Sequence, residues 1–192
     1  MLAAQIERFG PMSVEGRRGA HTDDAFAHLF RIVMGQQLST KAAATIWERA
    51  CALFDGPLPT PERTLELRDE LRAAGLSGRK VDYVCGLAES FTGGELSAAA
   101  LEELSDEVVV ERITELRGFG RWSAEMFLIF HLGRPDVFSG GDLGLRRGIQ
   151  RSLGLADPPS PEEAERIAER WQPHRSLACI YLWAVAGAGE PA

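Results

Sequence analysis

Cysteine is scarce in this chain of 192 residues: Cys51, Cys85 and Cys179 stand far apart, with no C-x2-C pair. Neither a zinc-finger cysteine set nor a four-cysteine iron–sulfur cluster can be assembled from them. Their apolar neighbours suit buried thiols in a reducing compartment. Lysine is scarcer still, with only Lys41 and Lys80 in a chain otherwise rich in arginine. No apolar run reaches the roughly 18 residues of a membrane span. The opening stretch MLAAQIERFGP holds no apolar core of signal-peptide length, so the expected setting is the cytoplasm, away from membranes. β-Pattern is nearly missing too. Val108-Val109-Val110 is the one β-like run, and three residues between helical signals make no strand.

What is present is helical periodicity. Phe26, Leu29, Phe30 and Val33 recur at helical spacing within residues 24–34. Ser39 reads as the N-cap of a stripe through Ala43, Ile46, Trp47, Ala50, Leu53 and Phe54, stopped by Asp55-Gly56-Pro57. Thr60-Pro61 opens a short helix, since proline suits the first helical position. Val81, Val84, Leu87, Ala88 and Phe91 mark another, ended by Thr92-Gly93-Gly94. Ser105-Asp106-Glu107 starts a helix with acids favourably near its N-terminus. Ser160-Pro161-Glu162-Glu163 offers a capping box, and a last helix is predicted from near Pro173 to about Ala186. The fold class is therefore all-α. The length fits one sizeable domain or two small lobes, with apolar content enough for a core.

The most informative stretch is Glu115 to Arg151, ELRGFGRWSAEMFLIFHLGRPDVFSGGDLGLRRGIQR. A Gly118-Phe119-Gly120 turn precedes an apolar helix, and Asp142 follows Gly120 by 22 residues at the head of a helix carrying Arg146 and Arg147. The glycines allow close backbone approach and positive φ. A glycine hairpin between helices exposes successive N–H groups, which bind phosphate. The formal net charge of −7 argues against a generally sticky nucleic-acid binder. Its distribution says otherwise for this stretch: from Arg112 to Arg151, seven arginines stand against four carboxylates. A basic segment on an acidic body is what a one-sided grip on DNA needs.

These residues resemble the helix-hairpin-helix DNA glycosylases, and within them the 3-methyladenine DNA glycosylase II type. The matching blocks are Leu116 to Ala124, Asp136-Val137-Phe138 with Asp142, and Gly35-Gln36-Gln37-Leu38-Ser39. Weaker matches are Ala74-Gly75-Leu76-Ser77 with Lys80, and Arg175-Ser176 with Tyr181-Leu182-Trp183. Together they run in the family's order over roughly residues 20 to 185. The resemblance implies a single glycosylase domain of two helical lobes with a cleft between them, roughly residues 25–135 and residues 1–24 plus 136–192. It implies a monomer acting on double-stranded DNA with damaged bases. No cofactor is required and no iron–sulfur cluster is expected; a sodium or potassium ion on the backbone carbonyls of Thr114, Leu116 and Phe119 would fit the family.

By the same resemblance Asp142 is the catalytic carboxylate. Cleaving an N-glycosidic bond builds positive charge on the sugar, which a carboxylate stabilises while it orients or deprotonates the attacking water. Asp142 also reads as a plain helix cap, and the two roles are compatible. Trp122 stands where bifunctional relatives place a Schiff-base lysine, so the implied enzyme is monofunctional. Trp122, Met126, Leu143 and Trp183 occupy the base-pocket positions, with Met126 and Leu143 less aromatic than in some relatives. Gln37 would enter the gap left by the flipped nucleotide, while Gly118, Phe119, Gly120, Arg121, Arg146 and Arg147 would hold the backbone. Two alternatives stay open: a non-catalytic helix-hairpin-helix DNA-binding module, and a mismatch-type glycosylase.

Overall fold

The computed structural model describes residues 2–15 and 24–187. Among these residues the chain forms twelve α-helices, one 3-10 turn at Glu169–Trp171 and no strand. They fall into two compact units, residues 21–127 and residues 1–20 with 128–192. Of the segment 1–24 assigned above to one lobe, Met1 and residues 16–23 lie outside the described residues.

The first unit holds α2 (Ala25–Gly35), α3 (Thr40–Cys51), α4 (Pro61–Glu66), α5 (Arg68–Ala73), α6 (Gly78–Thr92), α7 (Ala98–Glu103) and α8 (Asp106–Glu115), and then enters α9 (Arg121–Phe130). Helix α2 is buried on nearly every side, which its almost unbroken apolar sequence permits. It packs against α3 and α6. Phe30, fully buried, meets Phe26, Trp47 and Phe54 edge-on at centroid separations of 6.1, 6.2 and 6.4 Å. Side-chain caps set the helix starts: Asp24, Ser39, Thr60, Ser77, Ser97 and Ser105 each accept a backbone N–H from the first turn.

Helix α3 ends sooner than its apolar stripe suggests. Leu53 and Phe54 donate to Ala50 and Cys51, three residues back, and this tighter turn carries Phe54 into the core ahead of Asp55-Gly56-Pro57. Helices α5 and α7, six residues each, have no counterpart among the helices the sequence predicts. At that length neither carries a full apolar stripe, and the one legible sign was Ser97 ahead of AAALEE.

The second unit contains α1 (Leu2–Phe9), α10 (Leu143–Leu153), α11 (Pro161–Ala168) and α12 (Arg175–Gly187). Helix α12 is its buried centre, with Ser176, Ala178 to Leu182 and Val185 inside. Gly148 lets α10 lie against it, because a β-carbon there would sit 2.3 Å from the Leu182 carbonyl oxygen. The Tyr181 hydroxyl donates to Gly10 O at 3.0 Å and accepts the Met12 N–H at 2.9 Å, tying the segment after α1 to α12. The Ser160 capping box forms as the sequence indicates, and the final helix starts at Arg175, two residues past Pro173.

Candidate functional site

The hairpin grows directly out of its helices. Leu116 N–H closes α8 on Ile113 O at 3.2 Å, Phe119 N–H turns back to Leu116 O at 3.1 Å, and Ser123 N–H begins α9 on Gly120 O at 2.9 Å. Phe119 buries its ring, so anything it offers a ligand comes from its backbone. Gly118 has φ +92°, and a β-carbon there would lie 2.2 Å from the Tyr83 ring. That position needs glycine twice over. Gly120 does not use the positive φ that glycine permits: its φ is ordinary and a β-carbon would meet open space. The geometry of the turn therefore does not require glycine at this position. Gly120, Arg121 and Trp122 are exposed at the start of α9, whose first turn carries no acid to compete for its N–H groups.

Arg121 donates from Nε to Glu125 Oε1 at 2.8 Å. The Glu125 side chain is buried while that of Arg121 is exposed, so the carboxylate anchors a guanidinium that faces solvent. The sequence sign of this pair is the i,i+4 spacing of Glu125 from Arg121. Beside the hairpin, Gln36 Nε2 donates to Gly118 O at 3.1 Å and to Ser123 Oγ at 3.3 Å. The neighbouring Gln37 is exposed, with φ +59°. Thr114 turns its hydroxyl back onto Val110 O and Glu111 O at 2.8 and 3.0 Å.

In the second unit Asp142 caps α10. Its Oδ1 accepts the Leu145 N–H at 2.8 Å and the Trp183 indole N–H at 3.1 Å. Trp183 in turn stacks on Phe130 at a centroid distance of 5.6 Å and an interplanar angle of 27°. Gly144 leaves room for this pair, since a β-carbon there would approach Asp142 Oδ1 to 2.9 Å and Trp183 Cδ1 to 3.1 Å. The cap and the indole hydrogen bond together fix one oxygen of the carboxylate from two directions.

The loop leading to Asp142 is braced along its length. Arg175 grips Asp136 with Nε on Oδ1 at 2.8 Å and Nη2 on Oδ2 at 3.0 Å. Those hydrogen bonds hold the Asp136 carboxyl below the usual carboxylate range. Ser176 Oγ donates to Arg134 O at 2.7 Å and accepts the Val137 N–H at 3.0 Å. Glu165 Oε1 accepts the Gly140 N–H at 2.8 Å. The matching block Asp136-Val137-Phe138 and the weaker match Arg175-Ser176 are this scaffold. Glu165, 25 residues beyond Gly140, gave no sign in the sequence.

The remaining candidates separate by exposure. Trp122 is 39% exposed and Met126 is buried, both in the first unit; Leu143 is 45% exposed and Trp183 half-buried, both in the second. Arg146 donates from Nη1 to Pro159 O at 3.2 Å, whereas Arg147 is exposed. Among the described residues no group of three or more His, Cys, Asp or Glu is placed to hold a metal, and no helix is long and apolar enough to cross a membrane.

Comparison with known proteins gives this arrangement its family. Residues 30–174 match the HhH-GPD superfamily of base excision DNA repair proteins. DNA-3-methyladenine glycosylase 1 of Schizosaccharomyces pombe is 36% identical over 169 residues, covering 86% of this chain and 74% of the relative. The crystal structure of a Bacillus halodurans DNA-3-methyladenine glycosidase is similar at 37% identity and a TM-score of 0.75, over 86% of this chain and 76% of that one. The S. pombe 3-methyladenine DNA glycosylase in complex with abasic DNA superimposes with a TM-score of 0.82 at 30% identity, covering 99% of each chain. The chain belongs to the HhH-GPD superfamily of base excision DNA repair proteins, as a homologue of the 3-methyladenine DNA glycosylases.

Proposed function

We propose that this protein is a monofunctional DNA glycosylase that releases alkylated bases, 3-methyladenine among them, from double-stranded DNA and leaves an abasic site. The observation that carries the proposal is Asp142, whose carboxylate is held by the Leu145 N–H and the Trp183 indole in a homologue of 3-methyladenine glycosylases. As the bond between the sugar and the base nitrogen breaks, its electron pair leaves with the base and positive charge gathers on the sugar. The Asp142 carboxylate stabilises that charge. A water adds to the anomeric carbon and passes its proton to Asp142. Trp122, not lysine, follows Gly120-Arg121, so no amine stands at that position to form a Schiff base.

Alkylation leaves many bases cationic, which favours contact with aromatic faces. We assign base recognition to Trp122, Met126, Leu143 and Trp183. Gln37 fills the space of the extruded nucleotide and hydrogen-bonds the orphaned partner base. The N–H groups of Gly118 and Gly120 hold a phosphate, aided by Arg121 and Arg147; the Phe119 N–H is taken by Leu116 O, and Arg146 would first have to release Pro159 O. The carbonyls of Thr114, Leu116 and Phe119, hard oxygen donors at the end of α8 and in the hairpin, would suit a sodium or potassium ion. When bound, that ion would add positive charge beside the phosphate.

The test is a base-release screen over duplexes carrying alkylated, deaminated or etheno-modified bases. Release should be fastest from alkylated purines. Preference for thymine or adenine in undamaged mismatches would replace this reading with a mismatch glycosylase, and binding without any release would replace it with a DNA-binding module.

A further inference from the structure

We infer that Lys80 and Gln36 are positioning residues that hold the Gln37 loop in the form that presents the Gln37 side chain to the duplex. The inference rests on the gap-filling reading of Gln37 given above. Gln37 is the one non-glycine residue with positive φ among the described residues. The left-handed region is unfavourable for a residue bearing a β-carbon, and such a conformation persists only where its surroundings over-determine it.

Two side chains do so. Lys80, in the first turn of α6, donates from Nζ to Met34 O at 2.6 Å and to Gln36 O at 2.8 Å. Carbonyls at a helix C-terminus lack intrahelical partners, and a cation is favourable there. The Gln36 carbonyl belongs to the peptide unit that leads into Gln37, so this bond fixes the unit whose rotation would otherwise relax the positive φ. Partial burial pushes the Lys80 ammonium below the ordinary lysine range. From the other side, the Gln36 amide is fastened to Gly118 O and Ser123 Oγ of the hairpin. Gly118 is itself fixed by its φ of +92° against Tyr83. The gap-filling loop and the phosphate grip are thus one piece within a single unit. Lys80, one of two lysines in the chain, serves as its pin.

The test uses single-turnover base release on two substrates: an alkylated base opposite its pairing partner, and the same base opposite an abasic position, where no pair has to be broken. Gln37→Ala should slow release from the paired duplex by roughly tenfold and largely spare the unpaired one. Lys80→Met keeps the packing stem and removes the donors. It should reproduce that change in the paired-to-unpaired ratio, and the double variant should be no slower than the worse single, because both changes disable the same device. Gln36→Leu, which removes the amide from Gly118 and Ser123, should shift the ratio the same way and serves as the second variant if Lys80→Met does not fold. If Gln37→Ala changes the ratio while Lys80→Met and Gln36→Leu leave it at the wild-type value, the brace is refuted and the gap filler stands. Equal slowing on both substrates, or multiplicative effects in the double variant, would also refute it. A Gln37→Ala enzyme with an unchanged ratio would overturn the gap-filling reading itself, and this inference with it.

Discussion

In the proposed function Asp142 serves fold and chemistry through the same hydrogen bonds. Its Oδ1 caps α10 and takes the Trp183 N–H, so the carboxylate that begins a helix is also held still. Asn and Asp cap helices about equally well. Asp142→Asn should therefore leave thermal stability and damaged-DNA binding near wild type while base release falls by roughly 10²-fold or more. A loss within about tenfold, roughly 1.4 kcal/mol of barrier, would reduce Asp142 to a cap. Trp183→Phe separates two contributions of the indole, keeping the ring against Phe130 while deleting the donor to Asp142. A hydrogen bond to a charged group is worth about 1.5–3 kcal/mol, so release should slow by at least tenfold; an unchanged rate would leave Trp183 a packing residue. The Asp142 cap was legible because Asp precedes a helical pattern. The indole contact was not, since it joins residues 41 apart.

At the level of elements, most helix starts could be read because serine, threonine or aspartate stands at each, and the Ser160 capping box is complete in the sequence itself. Helices α5 and α7 could not, being too short to show a period. The hairpin was legible as a motif but not in its division of labour. Close backbone approach and positive φ are open to both glycines in the sequence; only Gly118 adopts the positive φ. Gly118→Ala should cost about 1–3 kcal/mol for the backbone alone, with more from the clash at Tyr83, read as a drop in Tm. Gly120→Ala should stay within about 0.5 kcal/mol of wild-type stability, yet weaken binding to damaged and undamaged duplex by similar factors, since phosphate contacts carry no base information. Unchanged affinity in a folded Gly120→Ala protein would make the hairpin a mere connector.

Across the whole chain, the arginines between residues 112 and 151 form one basic segment in sequence, and the structure gives its members different partners. Arg121 is paired with Glu125, Arg146 rests on Pro159 O, and Arg151 donates to the Val185 and Ala186 carbonyls at the end of α12. Arg147 remains exposed. Sequence alone gives these side chains one charge and one length, and only packing distinguishes them. Arg147→Gln should reduce the salt dependence of DNA binding by about one unit of slope with little change in Tm. Arg151→Gln should do the reverse, lowering Tm and leaving the slope alone. Identical slopes for wild type and Arg147→Gln would remove Arg147 from the phosphate contacts. The central claim, hydrolysis by water directed from Asp142, is tested most directly by the product. Wild-type protein is incubated with a methylated-purine duplex in the presence of borohydride, and free base, strand integrity and covalent adduct are measured together. Released base, an unbroken strand that cleaves only after alkali or heat, and no trapped protein are expected. A borohydride-trapped complex through Lys41 or Lys80, or strand breakage without alkali, would contradict that claim.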